Sequence, residues 1–155
     1  MHLIPKTIAE IFPRAEIELK PRKLRQAWLK DVGYDEAPWY HERMGLLELT
    51  DFLEVAGPHL DYVKICTPQA LYHPSEWVTR KIELYQSHGI EPYLDHGYFK
   101  TAWRSGVVED AIVAGATLGF RVIEFMNTFG DVTETQWKAW RQLALDHGMK
   151  IIYEH

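Results

Sequence analysis

Two junctions in this chain are nearly interchangeable: His88-Gly89-Ile90 and His147-Gly148-Met149. Each closes a helically spaced segment with a glycine placed to turn left-handed, and each opens an apolar strand. The rest of the chain follows the same alternation. Leu46 to Val55 carries apolar residues at Leu46, Leu47, Leu49, Phe52, Leu53 and Val55, a helical spacing halted at Ala56-Gly57-Pro58. Asp61 to Cys66 reads as a buried strand. A helix with Ser75 as its N-cap then runs to His88-Gly89, and Ile90 to Asp95 is the next strand. Phe99 to Leu118 is helical, broken near Ser105-Gly106 and ended by Gly119, ahead of the strand Phe120 to Met126. Thr133-Glu-Thr-Gln136 has the pattern of a capping box and opens a helix that ends at His147-Gly148. The strand Met149 to Tyr153 follows.

Strands recurring at roughly thirty-residue intervals with helices between them are βα crossovers, and crossovers build parallel sheets. The expected fold class is α/β, a (β/α) barrel of TIM type with about five βα units. It is expected as one partial barrel domain over residues 1–155, with 1–45 less regular. Within that segment Leu24 to Val32 is a candidate first strand interrupted by Arg, Gln and Lys, and Asp35 to His41 reads as a loop. Ending on a strand, the chain is expected to begin a barrel without closing it. Open edges of that kind predict a longer natural chain or a homo-oligomer.

Composition narrows the function classes. The chain has 155 residues and a net charge of −5, with a pI near 5.9, which argues against nucleic acid as the main partner. The basic cluster Lys20-Pro-Arg-Lys-Leu-Arg25 is too short to reverse that. Cys66 is the single cysteine, so there is no internal disulfide and no thiolate metal cluster. Met1-His-Leu-Ile-Pro-Lys lacks the apolar core of a signal peptide, and no run approaches the roughly 18 apolar residues of a membrane span. A cytoplasmic protein without membrane partners is expected.

A set of short motifs, in order and at matching spacing, carries a family resemblance. They are Gly45-Leu-Leu-Glu-Leu-Thr-Asp-Phe-Leu-Glu-Val-Ala-Gly57, Asp61-Tyr-Val-Lys64, Ala70-Leu-Tyr72, Lys81-Ile-Glu-Leu-Tyr85 with His88-Gly89, and Leu118-Gly-Phe-Arg-Val-Ile-Glu124. Together they resemble the phosphosulfolactate synthases, a family that includes plant heat-stress-associated relatives, over roughly Gly45 to Glu154. The resemblance implies a (β/α)₈ barrel that adds sulfite to phosphoenolpyruvate with magnesium, a step of coenzyme M synthesis. It also implies that Lys64 and Glu124 lie in the active-site mouth and that Glu154 is the acidic residue ending the fifth strand. Three mouth segments depart from the family pattern. No Asp-Lys-Gly follows the first strand, Leu94-Asp-His-Gly-Tyr98 replaces a Pro-Gly-Gly-Thr turn, and Met126-Asn-Thr-Phe-Gly130 replaces a Ser-Asp-Gly.

The chemistry such a site needs is a cation on the substrate's carboxylate or phosphate, positive side chains for the anions, and a proton donor. Magnesium prefers oxygen ligands and keeps waters, so one or two carboxylates suffice. Glu124 lies inside an apolar strand, where a carboxylate is costly unless it is paired or metal-bound. It is a candidate for metal binding or proton transfer, or for a structural ion pair. Lys64, in Tyr62-Val-Lys-Ile-Cys66, is a candidate anion binder or acid, or the partner of Glu124 itself. Asp95-His96 and Glu154-His155 are two carboxylate–imidazole pairs at strand tips. The candidate catalytic set is Lys64, Glu124 and His96; the candidate magnesium ligands are Asp95, Glu124 and Glu154. Lys64 and Asn127 are candidate substrate contacts for a small anionic phosphorylated molecule. Asp95 could equally cap the following helix. Cys66 reads as a buried, inert thiol, and Trp137 and Trp140 as a packing face. The alternative to an enzyme is a stress-associated or scaffold protein that keeps the barrel fold without the chemistry.

Overall fold

The computed structural model describes residues 27–31, 44–126 and 132–154. Their elements run β1 (Trp28–Asp31), α1 (Leu46–Ala56), a 3₁₀ turn (Gly57–His59), β2 (Tyr62–Ile65), α2 (Thr67–Tyr72), α3 (Ser75–Ser87), β3 (Glu91–Leu94), α4 (His96–Arg104), α5 (Val108–Leu118), β4 (Val122–Met126), α6 (Glu134–Asp146) and β5 (Lys150–Glu154). The five strands form one parallel sheet in the order β1-β2-β3-β4-β5. Every connection steps to the next strand in the same direction. Right-handed crossovers of that kind put all the helices on one face and curl the sheet the way a (β/α) barrel curls. The chain is therefore α/β, of TIM-barrel type.

Register sorts the side chains into two faces, because neighbours across a parallel pair share a face and successive residues alternate. Val63, Ile65, Leu94, Ile123 and Phe125 point at the helices and are at most 1% exposed. They meet Leu49, Leu53, Ile82, Phe99, Ile112 and Trp140 in a single core. Phe99 and Phe125 lie 4.6 Å apart, with Trp137 and Trp140 against them, so the two tryptophans are packing residues. The other face carries Trp28, Tyr62, Lys64, Glu91, Tyr93, Val122, Glu124 and Lys150. On this second, open face Trp28 is 48% exposed, whereas Tyr93, Val122 and Glu124 are buried.

Punctuation falls largely where expected. Gly89 (φ 68°) and Gly148 (φ 74°) are left-handed at the two look-alike junctions, and Gly106 (φ 69°) separates α4 from α5. The capping box opens α6: Thr133 Oγ1 accepts the Gln136 N–H at 3.3 Å, and Gln136 Oε1 accepts the Thr133 N–H at 2.9 Å. Thr133→Ala is expected to cost about 1 kcal/mol, read as a lower urea midpoint at unchanged slope. Two boundaries differ from expectation. Ser75 does not cap α3; Pro74 holds the N-cap position, and its carbonyl accepts the Trp77 and Val78 N–H groups. The helix expected from Phe99 begins at His96, because Asp95 caps it. The candidate first strand is described only as Trp28–Asp31, paired with β2, while Asp35 to His41 lies outside the described residues. No described helix is long and apolar enough to cross a membrane.

Candidate active site at the carboxyl ends of the strands

Glu124 is the centre of the open face. It sits in the middle of β4, 4% exposed, where an unpaired carboxylate would be expensive. Three donors converge on its Oε2. Lys64 Nζ lies at 2.8 Å, the His96 backbone N–H donates at 2.9 Å, and His96 Nδ1 lies at 3.2 Å. Lys64 reaches across from β2, its ammonium 5.8 Å from the centre of the Tyr93 ring on the intervening strand. The side chains of Lys64 and His96 remain 19% and 35% exposed, so the cation and the imidazole face the mouth while the carboxylate that holds them is buried. The arrangement can bind an anion, orient an imidazole and pass a proton at the ring's second nitrogen.

Asp95 holds the backbone from which His96 projects. Its Oδ1 accepts the Tyr98 N–H at 3.1 Å, the N-cap bond of α4, and also the hydroxyl of Thr67 at the start of α2. Gly97 permits this clasp, since a Cβ there would fall 2.5 Å from Thr67 Oγ1. In this geometry Asp95 serves as a cap, the bland alternative the sequence offered. Glu154 aligns with Met126 across the β4–β5 ladder, which puts its backbone at the carboxyl tip, one step beyond the row holding Glu124 and Ile152. Asn127 and His155 lie outside the described residues. Cys66 is fully buried, and its carbonyl starts α2 by accepting the Gln69 N–H.

Magnesium fits these residues only in its water-rich mode. Among the described residues no three His, Cys, Asp or Glu side chains stand together as a metal cage. Glu124 can offer one carboxylate whose three contacts all fall on Oε2.

One polar constellation was not anticipated. Asp31, at the end of β1, is fully buried on the helix side of the sheet. Its Oδ2 pairs with Lys81 Nζ at 2.7 Å and accepts the Tyr85 hydroxyl at 2.6 Å, while Gln69 Nε2 donates to Oδ1 at 3.2 Å. Lys81 also donates to Gln69 Oε1 at 2.7 Å and to the Met44 carbonyl at 2.8 Å. The signal was present in Lys81-Ile-Glu-Leu-Tyr85, whose first and last residues lie on the buried helix face with Val78 and Ile82. Burial, and then the Asp31 carboxylate, push the Tyr85 phenol far above its usual value near 10. A raised value means the fold holds a proton that the unfolded chain loses. The contribution of Tyr85 to stability is thus complete below about pH 10 and falls by about 1.4 kcal/mol per unit above it. Urea midpoints measured from about pH 8 to 11 should show this alkaline decline. Tyr85→Phe should start lower and decline less steeply.

A family model described as (2R)-phospho-3-sulfolactate synthase (ComA) matches residues 15–155. The phosphosulfolactate synthase of Methanothermobacter thermautotrophicus is 24% identical over 135 residues, covering 87% of this chain and 48% of that protein. The phosphosulfolactate synthase of Methanocaldococcus jannaschii is 26% identical over 104 residues, covering 67% and 41%. The chain thus spans about half the length of the curated relatives it matches. Among solved structures, a β-arabinopyranosidase aligns with a TM-score of 0.55 at 16% identity, covering 89% of this chain and 24% of that one. A Nostoc punctiforme debranching enzyme aligns with a TM-score of 0.55 at 9% identity, covering 84% and 48%. Those two likenesses speak to the fold alone.

Proposed function

The chain belongs to the (2R)-phospho-3-sulfolactate synthase family, and on that premise we propose that it carries a synthase-like lyase site for a small phosphorylated carboxylate. The nearest reaction is addition of sulfite, or a similar nucleophile, to phosphoenolpyruvate. The observation that carries this reading is the convergence of Lys64 and His96 on buried Glu124 at the carboxyl end of the sheet.

In sulfite addition a carbon–sulfur bond forms at the terminal carbon of the enol phosphate as the double bond's electrons move to the carbon bearing phosphate. Charge then spreads into the neighbouring carboxylate until that carbon takes a proton. Lys64 supplies a fixed positive charge for the anionic oxygens. Glu124 keeps Lys64 aimed and accepts from His96, so that the far nitrogen of the ring delivers the proton. Bound magnesium would neutralise charge on the substrate carboxylate; Glu124 and Glu154 are the residues that would hold it, with Asp95 nearby. Asn127 is the further candidate substrate contact. The reading is of a cytoplasmic enzyme that completes its barrel through further chain or a second copy.

The test follows phosphoenolpyruvate by phosphorus NMR in the presence of sulfite and magnesium. A new phosphorylated product that requires both is expected. An unchanged substrate signal at high enzyme concentration would remove the reaction. A scaffold reading draws on one observation, that Glu124 Oε2 is already satisfied by the protein's own groups. It predicts no rise in melting temperature with magnesium, sulfite or phosphoenolpyruvate, whereas a ligand that binds only the folded state must raise it.

A further inference from the structure

The β1–β2 register places Lys30 beside Lys64. Partners in a parallel ladder share a face and lie about 4.8 Å apart, so both lysines rise from the open face side by side. The same row continues through Tyr93 and Val122 to Lys150 at the far edge of the sheet. Directly below, Trp28 stacks on Tyr62 at 4.6 Å and 25°, and Tyr93 meets the Trp28 ring edge-on at 5.4 Å. Lys64 is already held by Glu124 at 2.8 Å, and Lys30, one strand away in the same row, has interactions of its own.

We propose that Lys30 and Lys64 form a two-lysine seat for the phosphoryl group of the ligand, between β1 and β2 and above the Trp28–Tyr62 stack. The ligand's identity rests on the synthase-like reading; the seat rests on register and the aromatic contacts. Lys64 is therefore shared between Glu124 and the phosphoryl group, and Lys30 supplies the second charge. The carbon end of a small phosphorylated molecule seated there points toward β3 and β4, where His96 and Glu124 stand.

The probes are inorganic phosphate, and phosphoenolpyruvate without sulfite, titrated calorimetrically so that binding is read apart from turnover. Binding of both is expected, weakened about tenfold or more by Lys30→Met and by Lys64→Met, and restored toward the original affinity by Lys30→Arg. Lys150→Met, in the same row but three strands from Lys64, should leave it unchanged. Circular dichroism melts confirm that each variant is folded, and Lys30→Gln replaces Lys30→Met if that variant is not. Phosphate affinity unchanged in both Lys30 variants, or no binding to the unmodified protein, would overturn the seat. Phosphate binding lost with Lys30 in a protein that fails to turn over sulfite would keep the seat while removing the reaction.

Discussion

Lys81→Ala should destabilise the fold by about 3–5 kcal/mol, the largest stability effect expected from a single side chain here. The reason is what it leaves behind. Asp31 would remain fully buried without the cation that pairs its carboxylate, and the Met44 carbonyl would lose its donor. Lys81→Met fills the space better and still strands the carboxylate, so it should be nearly as damaging. Asp31→Leu combined with Lys81→Met removes both charges and should recover much of the loss, because apolar replacement of a whole buried pair can be close to neutral. The urea midpoints of Asp31→Leu alone, Lys81→Met alone and the double variant form a cycle whose coupling term measures the pair. A single-variant loss under about 1 kcal/mol would mean that the pair does little for stability.

Glu124→Gln should lower turnover of phosphoenolpyruvate and sulfite by about 10²–10⁴-fold with a smaller change in KM, since it keeps the shape and removes the charge that orients Lys64 and His96. A matching drop in Lys64→Met, which removes the cation instead, would show whether the two act as one unit. If so, the double variant is scarcely worse than either single one. Full turnover in Glu124→Gln would take this carboxylate out of the chemistry and leave it as a structural partner of Lys64.

The alternation of strands and helices was legible because its signals are local. Helical periodicity in Leu46 to Val55, left-handed glycines at 89 and 148, and the Thr133 box act within a few residues. The Lys64–Glu124 contact could be named as one alternative, since two charges embedded in apolar strands have few other partners. What stayed hidden depends on relations between strands. Register is set by packing over a whole face, so nothing in the sequence announces that Lys30 stands beside Lys64. Asp31 escaped notice for a related reason. It ends a short, mixed strand, and its partners come from two later helices. Asp95 carries both a cap signal and a ligand signal in the same side chain, and the structure uses the cap.

The stepwise strand order also bears on how the chain assembles as it is synthesised. Each strand pairs with the one made just before it, roughly thirty residues earlier, so a docking edge is already present when it emerges. Growth by successive addition avoids long-range threading and keeps each new apolar segment naked only briefly. The exception is the first strand: Tyr85 lies 54 residues beyond Asp31, and until it and Lys81 arrive that carboxylate has to stay in water. β1 therefore remains provisional until α3 is complete, and the Asp31–Lys81 contact is the latch that commits it.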